Sequence, residues 1–148
     1  MITWNMRLLS FVVVVLLALP AWAGSKLTVR DSSGSRVGQI DESGVVRNES
    51  GARVGQIEAG GTVRNRSGAR VGGIDSDGVV RDSSGARVGR VEENGTLRDS
   101  SGSRIGQMDG CVVRGASGSR QGSFDGCVTA DRKTMAAYLF FFRSLHKD

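Results

Sequence analysis

From Thr28 to Val128 the apolar and polar positions recur with a period of about seventeen residues, and such internal repetition decides the architecture before any single motif does. Arg30, Arg47, Arg64, Arg81, Arg98 and Arg114 mark the period, in four steps of seventeen and a last step of sixteen. Six units fit in this span. Each carries two turn signals: Asp31-Ser32-Ser33-Gly34 and its copies, and Asp41-Glu42-Ser43-Gly44 and its copies. Asp or Asn opens a turn by bonding its own backbone, and Gly supplies the positive φ that closes it. Loops of this length combine a type I turn with a glycine bulge. The stretches between them, such as Val45-Val46-Arg47 and Arg36-Val37-Gly38-Gln39-Ile40, are too short for helix and rich in β-branched residues. The unit is therefore read as a β-hairpin. In the last two units the second turn shrinks to Asp109-Gly110 and Asp125-Gly126, the pair that favours a two-residue turn, which accounts for the missing residue.

Residues two apart on a strand share a face, so the apolar columns assign an interior. Val29, Val46, Val63, Val80, Leu97 and Val113 form a constant apolar column on the first strand and are placed inside. On the second strand the columns Val37 to Ile105 and Ile40 to Met108 stand three apart, which a regular strand would send to opposite faces. Between them sits Gly38, Gly55, Gly72, Gly89, Gly106 or Gly122. Glycine inside a strand marks a bulge or a close backbone approach, and either would put both columns to structural use.

One hairpin is marginally stable in water, so six must pack together. Periodicity leaves two all-β arrangements open, a linear β-solenoid and a ring of petals around an axis. Units of the form Val-Arg-Asp-Ser-Ser-Gly-Ser-Arg-Val-Gly-Gln-Ile-Asp, followed by the tail Ala136-Ala137-Tyr138-Leu139-Phe140-Phe141-Phe142, resemble the bacterial β-flower proteins over nearly the whole repeat region and tail. The resemblance implies a toroid of radiating hairpins outside the cytoplasm and supplies no activity. The chain departs from an ideal five-petal pattern: it has six units, and the sixth carries Gln121 where the others carry Val or Ile.

The tail is the second apolar feature. Met135 to Phe142 is an unbroken apolar run, too short to span a bilayer. Three consecutive phenylalanines left in water would drive association. Tyr138, Phe140, Phe141 and Phe142 are therefore expected to act as a plug, in the axial opening or at one end. The other reading is a docking tail for a membrane surface or partner, flanked by Arg132, Lys133, Arg143 and Lys147.

At the N-terminus Arg7 precedes an apolar run from Leu8 to Leu19, then Pro20 and Ala21-Trp22-Ala23, the order of a secretory signal peptide. The organisation read from this is a leader over residues 1–23, a hairpin-repeat domain over 24–131 and an apolar plug with a polar end over 132–148. Cleavage after Ala23 removes both tryptophans and Arg7, so the mature chain is about four charges positive and has no aromatic residue between Gly24 and Gln121. Its charges alternate in sign and it offers no aromatic platforms for bases, so nucleic acid is not an expected partner. In an exported chain Cys111 and Cys127, at equivalent positions just after an Asp-Gly turn, are expected to form a disulfide.

Candidate chemistry is sparse. His146 is the single histidine, and no second one exists to build a metal cluster or a base–nucleophile pair. The serines repeat with the turns. Asp75-Ser76-Asp77-Gly78 lacks the remaining ligands of a calcium loop, and Asn48-Glu49-Ser50, Asn65-Arg66-Ser67 and Asn94-Gly95-Thr96 fall in turns. No catalytic set, metal or cofactor is expected. Two arginine columns remain, Arg30 to Arg114 and Arg36, Arg53, Arg70, Arg87, Arg104 and Arg120, with the acidic column Asp41, Glu58, Asp75, Glu92, Asp109 and Asp125. Cross-strand ion pairs on an exposed face are one use for them. A ring around the axis that holds an anionic ligand is the other, because the arginine fork matches carboxylate and phosphate. The expected function is a non-catalytic, periplasmic or secreted structural or interaction module, with a small anion-binding protein as the alternative. An envelope protein or a small anion is the expected partner, and no transmembrane span remains after cleavage.

Overall fold

In the computed structural model residues 27–143 are described; the leader, its cleavage site, His146 and Lys147 lie outside them. Twelve antiparallel strands run in chain order: β1 (Leu27–Asp31), β2 (Arg36–Ile40), β3 (Val45–Asn48), β4 (Arg53–Ile57), β5 (Thr62–Asn65), β6 (Arg70–Ile74), β7 (Val79–Asp82), β8 (Arg87–Val91), β9 (Thr96–Asp99), β10 (Arg104–Asp109), β11 (Val112–Gly115) and β12 (Arg120–Asp125). Each pairs with its sequence neighbours, and β1 pairs with β12. The sheet is a closed barrel, not a linear solenoid. Neighbouring hairpins are hydrogen-bonded side to side, so the petals fuse into one continuous wall with no free edge.

A bulge recurs in every hairpin and resolves the spacing puzzle of the second strand. Val29 stands opposite Gly38, but Arg30 stands opposite Arg36, which leaves Val37 as the extra residue. The same shift occurs in the other five hairpins. Directly opposed residues share a face, and Val29 is buried. Gly38 therefore faces inward with Val29, and Arg36 faces outward with Arg30. Without the bulge, alternation would place Arg36 on the same side as Gly38, in the core. Both apolar columns join the interior: Ile40, Ile57, Ile74, Val91, Met108 and Phe124 are buried, and Val37, Val54, Val71, Val88 and Ile105 pack against them.

The turns form for the reason the sequence suggested. The Asp31 carboxylate accepts hydrogen bonds from the Ser33 N–H at 2.9 Å, the Ser33 hydroxyl at 2.6 Å and the Ser35 N–H at 3.0 Å. Asn48 and Asn65 do the same with neutral amides. Glycines close the turns at positive φ, and four of them also join units: the Gly44 carbonyl accepts from the Ile57 N–H at 2.8 Å, and Gly61, Gly78 and Gly95 repeat the bond one unit on.

The turn carboxylates give the first prediction. The Ser33 hydroxyl, opposed by partial desolvation and reinforced by two backbone N–H groups, lowers the pKa of Asp31; Ser84 and its neighbours do the same for Asp82. A carboxylate whose folded pKa is depressed stabilises the turn fully above its unfolded value and loses that contribution as pH falls through the folded one. Amide protection at Ser33 and Ser84 is thus expected to drop below about pH 4. Ser50 and Ser67, held by asparagines, should keep theirs. Equal acid sensitivity in all four turns would contradict this account.

Twelve strands enclose more space than side chains alone can fill, since about eight already suffice for a filled interior. That space holds a helix. A 3-10 turn at Thr129–Asp131 leads into α1, Arg132–Phe141, whose Met135, Ala136, Ala137, Tyr138 and Leu139 are buried in the same cluster as the inner strand residues. An α-helix is about 10 Å across with its side chains, and one that is apolar all round beyond its first turn, as α1 is from Met135 on, belongs in such a place.

Candidate functional site

Three regions of the wall and its filling could carry function: the axis, the outer belt and the seam where the repeat ends.

Along the axis the strand glycines act as sockets. A methyl group at Gly38 would lie 2.7 Å from the Tyr138 Oη, and one at Gly55 would lie 2.5 Å from the Phe142 ring. Gly72 meets the Phe141 ring at 2.6 Å and Gly89 the Phe140 Cζ at 2.6 Å on the same construction. Four hairpins in succession thus receive four aromatic side chains, three from α1 and the fourth from its C-cap residue Phe142. The sixth receives a cation: Arg143 donates to the Gln121 carbonyl at 2.8 Å and the Arg30 carbonyl at 3.4 Å, beside Gly122. Tyr138 also stacks edge-on against Phe124, with centroids 5.7 Å apart, and lies 6.0 Å from Phe142. Its burial raises the phenol pKa, against a smaller lowering by Arg143, so the hydroxyl stays protonated. All four residues expected to form the plug sit in the axial opening. Sequence reasoning missed that they do so from a helix, and that the glycines are their sockets. The run of helix formers Ala136, Ala137 and Leu139 was the available signal.

On the outer wall both arginine columns point away from the axis. The first is the ion-paired one. Arg30 meets Asp125 at 2.5 Å, Arg64 meets Glu58 at 2.6 Å, Arg81 meets Asp75 at 3.1 Å, Arg98 meets Glu92 at 2.6 Å and Arg114 meets Asp109 at 3.9 Å. The same side chains donate to the turn-glycine carbonyls, as Arg30 does to Gly34 at 3.0 Å. Exposed pairs of this kind contribute about 0–1 kcal/mol each. Arg36, Arg53, Arg70, Arg87, Arg104 and Arg120 are exposed, each directly opposite a first-column arginine. Arg36 and Arg53 donate to Gln39 and Gln56, and Arg120 to Ser123. They form a belt around the wall and do not converge on the axis.

At the seam Cys111 and Cys127 form a disulfide with Cα atoms 5.8 Å apart. It ties the shortened β10–β11 turn to the segment that leads into α1. Closing a loop of this length stabilises by roughly 3 kcal/mol on the chain-entropy view. The denatured, unreduced protein is expected to show no titratable thiol, and a Cys111→Ser/Cys127→Ser variant to lose about that stability. Two reactive thiols in the untreated protein would contradict the bridge.

Among the described residues, no three His, Cys, Asp or Glu side chains are grouped to hold a metal ion, and no helix is long and apolar enough to cross a membrane. Asp75 of the faint calcium-like segment is paired with Arg81, and the Ser76 carbonyl accepts from Lys133 at 2.6 Å.

A closed wall of tandem bulged hairpins around a helical plug defines a β-toroid of the flower type. The chain belongs to the family described as 5-fold beta-flower protein, whose match covers residues 26–143 and so includes the plug helix. No significant match to a curated protein or to a solved structure was found. This member closes with six hairpins where the family description names a five-fold flower.

Proposed function

We propose that the protein is a non-catalytic scaffold or interaction module, exported to the periplasm or beyond, that meets its partners through its outer wall. The observation that carries this reading is where the repeated polar groups lie. The axis is filled by α1, the turn Asp and Asn side chains are committed to their turns, and five of the six first-column arginines are ion-paired with the acids while Arg47 is held by the Gly51 carbonyl. The exposed second column, tied down at Arg36, Arg53 and Arg120 by single hydrogen bonds to neutral side chains and not by acids, is then the repeated charged surface that can face another molecule. Export is supported by the leader-like residues 1–23 and agrees with the disulfide, which persists in oxidising compartments.

Cross-linking of the tagged full-length chain in intact cells, followed by recovery from envelope extracts, tests the interaction reading. A defined partner is expected, lost when Arg36, Arg53 and Arg70 are changed to Glu. Turnover of esters, peptides or glycosides by the purified protein would overturn the non-catalytic reading. The native protein is expected to begin at Gly24, and mass spectrometry finding an intact Met1 would remove the basis for export.

A further inference from the structure

Of the clefts in the collar between α1 and the second turns, one differs in chemistry from two others beside it. Two are lined by carboxylates, Glu58 in one and Asp41, Glu42, Glu58 and Asp131 in the other. The third, of about 230 Å³, lies at the seam. Met108 and Met135 line it with the Cys111–Cys127 disulfide and Val128; Thr129 and Arg132 are its polar members. No carboxylate lines it.

Its origin is the break in the repeat. In the first units four residues separate the strands at the second turn, as at 41–44 and 58–61, whereas β10 and β11 are joined by Gly110 and Cys111 alone. On the other side β12 ends and the chain turns inward to form α1, so no further turn covers the gap. Val128, 54% exposed, stands at this opening.

Asp109 is directed to Arg114 and Asp125 to Arg30, and the Asp131 carboxylate accepts from the Val128 N–H at 2.8 Å. Among the described residues no ion pair involves Arg132. Its neighbour Lys133, by contrast, is held by the Ser76 carbonyl. A half-buried arginine beside two methionines and a disulfide offers a forked cation at one end of an apolar slot.

We propose that this cleft binds a small amphiphilic anion, a carboxylate on a short apolar chain, with Arg132 meeting the carboxylate and the methionines and disulfide meeting the chain. The guanidinium pairs two N–H groups with two carboxylate oxygens, and the Thr129 hydroxyl adds a donor. Methionine adapts its shape to irregular apolar ligands. At about 30 Å³ per water the cavity holds the volume of about eight waters, which suits a ligand of roughly eight heavy atoms. The site goes beyond the scaffold reading and does not rest on it, because it uses none of the outer-belt arginines.

The test is a titration of the oxidised full-length protein with hexanoate, followed by amide chemical shifts. Saturable shifts are expected at Gly110, Cys111, Val128 and Arg132, with a dissociation constant on the order of millimolar. Arg132→Gln should weaken binding by roughly tenfold or more, and hexanol, which keeps the chain and lacks the charge, should bind as weakly to the unaltered protein. Thr129→Phe keeps the cation and fills the slot, so it should also abolish the shifts. Absence of saturation, equal binding of hexanol, or binding unchanged in either folded variant would overturn the proposal. The hexanol comparison needs no variant, so it decides even if a substitution prevents folding.

Discussion

A chain ending at Asp131 is expected to be insoluble or unfolded at room temperature, although it keeps all twelve strands. The truncation removes Met135, Tyr138 and Leu139, which are buried, together with the rings of Phe140, Phe141 and Phe142. At about 2 kcal/mol per buried large side chain, the first three alone stand for roughly 6 kcal/mol. That is comparable with the whole stability of an ordinary domain, about 5–15 kcal/mol. The loss does not stop there, because Val46, Val63, Val80 and Leu97, now in contact with the plug cluster, would line a water-filled opening. Circular dichroism on heating checks the result. Leu139→Ala in the full chain supplies a graded companion, with an expected loss of about 2–5 kcal/mol from the cavity it leaves. A truncated protein that melts with the full chain and loses only membrane or partner binding would make the segment a docking tail.

The hairpins were legible because the chain states its constraints six times. Turn-opening Asp or Asn (present in the first turn of every unit but the sixth, where Gly115 stands), turn-closing Gly and an invariant inner aliphatic are local signals, and the structure uses each of them locally. Closure was of another kind. Nothing within a seventeen-residue unit distinguishes a ring from a solenoid, since both stack the same hairpin on its neighbour. The ring depends on β12 meeting β1, where Phe124 stands opposite Val29. Only the resemblance to a closed family pointed that way.

The glycine column shows a different limit. Its presence in every second strand signalled a bulge or a close approach, and the structure needs both: the bulge beside Gly38 turns Arg36 outward, while the bare Cα admits Tyr138. What approached could not be read, because the partner lies a hundred residues away in sequence. The arginine columns were ambiguous for a related reason. Ring or belt depends on which face Arg36 takes, and one bulged residue reverses that face.

Valine at Gly55 and Gly89 together is expected to destabilise the protein by on the order of 4 kcal/mol, at about 1–3 kcal/mol for each overpacked site and occasionally more. Neither glycine adopts a positive φ, so the effect is one of space and not of backbone strain. A Cβ at Gly55 meets the Arg64 carbonyl and the Phe142 ring, both at 2.5 Å, and one at Gly89 meets the Arg98 carbonyl at 2.7 Å and the Phe140 ring. Each carbonyl belongs to a hydrogen-bonded neighbouring strand, so its clash is local and the strand pair must part slightly, while the ring must leave its socket and push α1 aside. One shift of the helix relieves both ring contacts but neither carbonyl contact, so the pair should cost less than the sum of its single variants by the shared part alone, a coupling that a double-mutant cycle measures. Gly60→Ala is the control: it has open space around its Cβ and no positive φ, and should change stability by no more than about 0.5 kcal/mol. Chemical denaturation of the unaltered protein, the two single variants, the double variant and the control gives the comparison. Strict additivity with unaltered Tyr138 fluorescence would mean that the sockets act independently of the helix, and a Gly55→Val protein as stable as Gly60→Ala would mean that no ring occupies the socket at all.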